Sequence, residues 1–220
     1  MIKKVLVLLV GCFTTCVSFA QTRITETDKE NFRAVVLSKD QMGVPVIKKW
    51  VVPVRYKIYQ GKEAYHSTEI DSIFSKIKML TGLDIAPTIN EDDVNFSIFL
   101  GNRAEFNTQI TNVTAQRFNQ YGGNYYKFNN KDEIFQGIVL ITIANYNDQR
   151  DVRNAIRKNI IRLFGFVNPL ETKPSSIFYS QSNNVVNFNN YDTALIRLLY
   201  SPSFKPGMNK VQVDELLNKL

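Results

Sequence analysis

The chain has 220 residues, of which 44% are hydrophobic and 21% charged, with a net charge of +7. These values describe an ordinary globular chain, long enough for one domain with a proper core. The basic residues accompany no nucleic-acid motif, so nucleic acid is set aside as a partner.

In chain order, Lys3 and Lys4 precede an apolar stretch that opens at Val5, and Ser18-Phe19-Ala20 is a small-x-small cleavage site. This is the anatomy of a secretory signal peptide over residues 1–20, leaving Gln21 first. The strongly apolar run is short of the roughly 20 residues that cross a bilayer. Leu9-Val10-Gly11-Cys12 offers a competing reading, a lipobox with a lipid on Cys12. The apolar region before Cys12 is very short and the chain stays mostly apolar to Ala20, which favours cleavage. Cys12 and Cys16 are the only cysteines, so cleavage leaves no disulfide and no thiol nucleophile, although export would permit disulfides. The expected location is periplasmic or extracellular, with membrane attachment only through a lipidated Cys12.

Residues 21–45 are polar without strong periodicity and read as a mobile lead-in, and residues 46–220 read as a single domain. A strand is expected over residues 48–59, with Pro53 marking an edge position or a bend. Ile70, Ile73, Phe74, Ile77 and Leu80 form the buried stripe of a helix over 68–81. Thr68 with Asp71 is a candidate capping box, and Gly82 a stop. Residues 94–100 alternate as a strand. Residues 103–119 are polar and helix-compatible, Tyr121-Gly122-Gly123 is a turn, and residues 125–128 are a short strand. Residues 138–144 form a strand rich in β-branched side chains. A helix follows over 149–164, capped by Asp148 and stopped by Gly165. Shorter helices are expected over 191–200 and 210–220. This order of elements predicts an α+β fold.

The 149–164 helix carries the most telling pattern. Lys158, Asn159, Arg162 and Gly165 stand where a zinc-peptidase helix, HExxHxxG, has its two histidines, its glutamate and its glycine. Zinc needs imidazole, thiolate or carboxylate ligands. An ammonium and a guanidinium only donate hydrogen bonds, and an amide cannot serve as a carboxylate base. No metal, no cofactor and no catalytic residue is therefore expected. Arg150, Arg153, Arg157, Lys158 and Arg162 make the helix basic, which reads more simply as a solvated face than as an anion-binding surface.

Other chemistry is thin. His66 is the only histidine, which leaves a three-ligand zinc site or a serine-hydrolase base without support. Glu91-Asp92-Asp93 lacks the calcium-loop pattern and reads as a solvated turn. Ser175 and Ser176 suit a loop. Asp148, Asp151, Glu171 and Asp192 leave open a carboxylate pair, although Asp148 and Asp192 are more simply first-turn acids of helices. Asn159 faces the apolar side of its helix, as a remnant of a site or as a satisfied core amide. Tyr121, Tyr125, Tyr126 and Phe128 with Asn124 and Asn129 suit glycan or peptide contact, but a half-buried hairpin explains them better.

Asp192, Leu195, Arg197, Leu199-Tyr200, Pro202 and Lys205-Pro206-Gly207-Met208 form an ordered set, preceded by Ser176-Ile177-Phe178 and Phe164-Gly165-Phe166-Val167-Asn168. Over about residues 50–208 the chain resembles a bacterial envelope family catalogued as domain of unknown function 2927. The resemblance implies an exported protein or lipoprotein without an established activity. Relatives usually carry E-E-x-x-Q in the helix where this chain has Lys158, Asn159 and Arg162. The family's shape is also similar to zincins, in which a strand–helix–sheet layer precedes the active-site helix. That likeness implies a zincin-like mixed sheet with a degenerate site, in which Asn168 takes a third-ligand position. Met208 as a Met-turn is weaker than a plain turn. The implied binding residues are Lys158, Asn159, Arg162 and Asn168. The expected partner is an envelope protein, peptide or glycan, or an anionic ligand. An envelope hydrolase using carboxylates and a structural envelope component are the alternatives.

Overall fold

The computed structural model describes residues 24–62, 67–111, 114, 116–181 and 184–220. The signal segment with Cys12 and Cys16, and His66, lie outside the described residues. Five helices are described: α1 (Glu26–Val36), α2 (Ser67–Thr81), α3 (Gln149–Arg162), α4 (Asn190–Tyr200) and α5 (Lys210–Leu217). The strands are β1 (Leu37–Lys39), β2 (Pro45–Ile47), β3 (Lys49–Trp50), β4 (Val54–Gln60), β5 (Ile85–Pro87), β6 (Phe96–Leu100), β7 (Gly122–Phe128) and β8 (Glu133–Ile141).

The main sheet has six strands in the order β3-β8-β6-β4-β5, with β7 also paired to β8. All its pairings are parallel except β7 against β8. Parallel neighbours need crossovers, and α2 supplies the one from β4. Phe96, Ile98, Val139 and Ile141 point from the sheet into the main core with α2, α3 and α4, while Phe99, Ile138 and Leu140 meet Phe106, Ile110 and Phe118 on the other face. Both faces of the central strands are thus covered, which explains their near-continuous apolar sequence. The architecture is α+β, as the element order predicts.

Residues 26–47 correct the expectation of a mobile lead-in. Thr25 and Asp28 form a capping box at the start of α1, and Phe32, Val35 and Val36 are fully buried in the main core. The amphipathic stripe lies within eleven polar-looking residues, so the charged outer face hid it. The expected 48–59 strand is divided by Pro53: β3 pairs β8, whereas β4 is interior, between β5 and β6. Pro53 therefore marks a bend. Asp71 accepts from the Tyr56 hydroxyl at 2.7 Å. The 103–119 stretch opens as a 3₁₀ turn over Arg103–Phe106. The strand over 138–144 begins earlier, at Glu133, and ends at Ile141.

Candidate functional site

Helix α3 leaves the end of β8 through a 3₁₀ turn (Ile143–Asn145) and is capped by Asp148, whose side chain accepts from the Asp151 N–H. It buries Val152, Ile156, Ile160 and Ile161. Gly165 ends it with φ +95°, where a Cβ would stand 2.3 Å from the Lys48 carbonyl oxygen. Only glycine suits both the left-handed backbone and that contact. The other flank of α3 borders a cleft of about 520 Å³ that contains Lys158, Asn159 and Arg162.

The three residues are held very differently. Lys158 is buried, and its Nζ donates to the carbonyl oxygens of Tyr179 (2.9 Å) and Gln181 (2.7 Å), tying down the loop opposite. Burial, with the Arg162 charge adding to it, lowers its pKa from 10.5 to about 8. Asn159 donates to the Ala155 carbonyl at 2.8 Å and accepts from Asn124 Nδ2 of β7 at 2.7 Å. Both ends of the amide are engaged, which favours the satisfied amide. The Arg162 guanidinium has no hydrogen-bond or ion-pair partner among the described residues, and burial lowers its pKa. Guanidinium remains charged nonetheless.

Asn168 lies elsewhere. Its Nδ2 donates to the carbonyls of Ala34 (3.0 Å) and Leu37 (2.7 Å), closing the end of α1. The basic row is not simply a solvated face: Arg157 and Lys158 are buried, and Arg153 and Arg157 both face Glu69 of α2.

The candidate acids do not converge on the cleft. Asp148 caps α3, Glu171 accepts from Ser180 Oγ at 2.8 Å, and Asp192 is fully buried beside Ser176, whose hydroxyl donates to it at 2.5 Å. Asp151 is the one carboxylate among the described residues that line the cleft. Among the described residues no three His, Cys, Asp or Glu side chains gather into a metal-holding group. Glu91, in an exposed turn, binds Lys57 and Tyr59 at 2.5 and 2.6 Å.

Sequence reading missed the cleft wall formed by Asn145, Tyr146 and Asn147. The signal was present in an aromatic and amide-rich loop between a strand end and a helix N-cap, where binding residues concentrate. The Tyr146 and Tyr121 rings lie 5.4 Å apart, and burial first of all raises the Tyr146 phenol to about 12.

The family model for a protein of unknown function, DUF2927, matches residues 25–219. The chain belongs to this family. A search of curated proteins finds no match. The DUF2927 match opens at α1, as the buried Phe32, Val35 and Val36 require. The residues that carried the resemblance build scaffold. Asp192 completes the capping box of α4 and accepts from the Ile177 N–H. Tyr200 donates to the Phe164 carbonyl at 3.0 Å, and Gly207 N–H to the Ile47 carbonyl at 2.8 Å. Met208 packs partly buried against the core, and its backbone oxygen receives the Ile47 N–H. None of these side chains lines the α3 cleft.

Proposed function

We propose that this DUF2927 protein is an exported, non-catalytic binding domain whose cleft holds an anionic group of an envelope partner on Arg162. The observation that carries the reading is the Arg162 guanidinium, partly withdrawn from water at the cleft with no ion-pair partner among the described residues. A desolvated guanidinium gains most from a carboxylate or phosphate that accepts two parallel hydrogen bonds. The neighbouring Lys158 charge favours the same sign of ligand. A carboxylate-pair hydrolase would need a second acid lining the cleft with Asp151, and a purely structural part would have no need of an open cleft.

The scaffold reads as zincin-like. What supports this is the β4–α2–β6 unit, followed by a strand leading directly into the helix that carries positions 158, 159, 162 and 165. With an ammonium and a guanidinium at the histidine positions, repulsion of a dication is on the order of 4 kcal/mol per unit-charge pair at about 4 Å. Export rests on the leader over residues 1–20, with cleavage after Ala20 favoured over lipidation of Cys12. No helix among the described residues is long and apolar enough to cross a membrane.

Calorimetric titration of the chain from Gln21 with succinate and with inorganic phosphate tests the cleft. At least one should bind, and Arg162→Ala should abolish it. Equal binding by the variant, or none by either protein, overturns the reading. Stoichiometric zinc with chelator-sensitive peptide hydrolysis would overturn its non-catalytic part.

A further inference from the structure

A second hollow, about 560 Å³, runs beside β7. It takes Asn124 and Tyr126 from one face of that strand and Tyr125 and Lys127 from the other, so it follows the strand's edge. The hydrogen-bond phase fixes which backbone groups face it. Thr142 N–H donates to the Tyr121 carbonyl across the β7–β8 ladder, while Gly122 exchanges both of its bonds with Asn119, away from β8. Alternation along an antiparallel strand then turns the N–H and C=O of Asn124 and Tyr126 outward as well. Beyond the bridge of Gly122 to Asn119, the strand pairs only with β8 among the described residues, and no backbone group among them bonds to those four outward atoms. An open row of this kind is a template for an added strand.

The charge of the hollow selects the strand. Arg117 and Lys127 line it, and no carboxylate among the described residues does. Asn124, which lines the hollow, is bonded to Asn159, which lines the α3 cleft. Helix α3 returns along the sheet after β8 and so runs in the same sense as β7. Arg162 stands three residues past Asn159, about 4.5 Å further along the axis, and lines the same cleft.

We propose that the β7 edge accepts an extended acidic peptide as an added strand, with one of its carboxylates seated on Arg162. The carboxylate's seat rests on the anion-binding reading of Arg162, whereas the strand pairing rests on the edge alone. Backbone bonds at Asn124 and Tyr126 supply affinity without sequence preference. Alternate side chains of the peptide face α3, which sets a two-residue spacing for the acid.

The test uses the chain from Gln21 and a capped heptapeptide, Thr-Val-Glu-Val-Glu-Val-Thr, with two analogues N-methylated on alternate sets of residues. One methylated set should lose binding by about tenfold or more and the other should bind nearly as the parent does, because only one set of N–H groups faces β7. Hydrogen exchange of the Asn124 and Tyr126 amides should slow with the peptide and stay unchanged with succinate. Equal binding of both analogues, unchanged exchange, or no binding of the parent at about 1 mM overturns the strand pairing. Arg162→Ala separates the two readings. It should weaken the Glu peptide about tenfold and leave its Gln counterpart unchanged. If it leaves the Glu peptide unchanged while the methylated sets still differ, the anion seat fails and the edge stands. Effects of succinate alone, confined to the cleft, would keep the anion seat and reject the peptide.

Discussion

Lys49 and Lys158 each hold a buried ammonium against two backbone carbonyls: Leu199 and Phe204 for the first, Tyr179 and Gln181 for the second. A neutral amine keeps two N–H groups, enough for two acceptors, so losing the proton relieves charge burial without losing those bonds. Burial lowers both pKa values from 10.5 to about 8. Between these values the unfolded chain binds more protons than the folded one, so the cost of burying the charges is full below pH 8 and fades as pH rises. Tyr56, Tyr59 and Tyr146 act oppositely. Burial foremost raises each above 10.0, so the folded chain holds those protons longer and loses stability beyond that pH. Urea midpoints should rise from pH 8 to about 10 and then fall, and Lys49→Met should flatten the rise. A flat or falling profile between pH 8 and 10 in the parent protein would refute this. Asp192 makes a second residue-scale case. Its carboxylate accepts from Ser176 Oγ and Ile177 N–H in a buried setting and from the half-buried Asn189 N–H. Asp192→Ala should cost about 3 kcal/mol or more through the donors it leaves unpaired, read from the denaturation midpoint. A loss under about 1 kcal/mol would mean that water replaces the carboxylate.

Among the elements, α3 shows most clearly what could be read from residues alone. Its apolar positions recur at helical spacing, Asp148 is a strong N-cap and Gly165 a strong stop, and the helix spans Gln149–Arg162. Helical spacing likewise gave α2 its place, and two-residue alternation gave β6 its own. Phe96 meets Phe164 (5.7 Å) and Phe74 (5.2 Å) between ring centroids, and Ile160 is fully buried. Phe96→Ala and Ile160→Ala should each cost about 2–5 kcal/mol in equilibrium unfolding, and near-neutral midpoints for both would contradict the packing. Spacing carried much less about the cleft. It put Lys158, Asn159 and Arg162 on one helix, but only tertiary partners decide that Lys158 is tied to a loop, that Asn159 is matched to Asn124, and that Asn168 serves α1 instead. The wall at Asn145–Asn147 comes from a loop, which has no period to detect. The α1 stripe failed for a related reason: one apolar turn flanked by charge resembles a polar linker until something packs on it.

At the scale of the molecule, the ends of the chain are part of its middle. Phe32 of α1 meets Phe204 near the C-terminus with centroids 5.1 Å apart, and Arg33 pairs with Asp214 of α5. A chain begun at Val46 would lack Phe32, Val35 and Val36, each with no exposed surface. It should show no cooperative unfolding transition, while the chain from Gln21 should. A sharp calorimetric transition in the shorter chain would restore residues 21–45 to the status of a linker.

The joining of α1 to α5 also sets a schedule. The first helix finds part of its cover on a segment about 181 residues further along, so this part of the core cannot close until that segment has been made. At about 5–20 residues per second, the 181 residues from Arg33 to Asp214 take roughly nine to thirty-six seconds to make. For a protein proposed to leave the cytoplasm as an unfolded thread, that delay keeps the thread available to the export machinery.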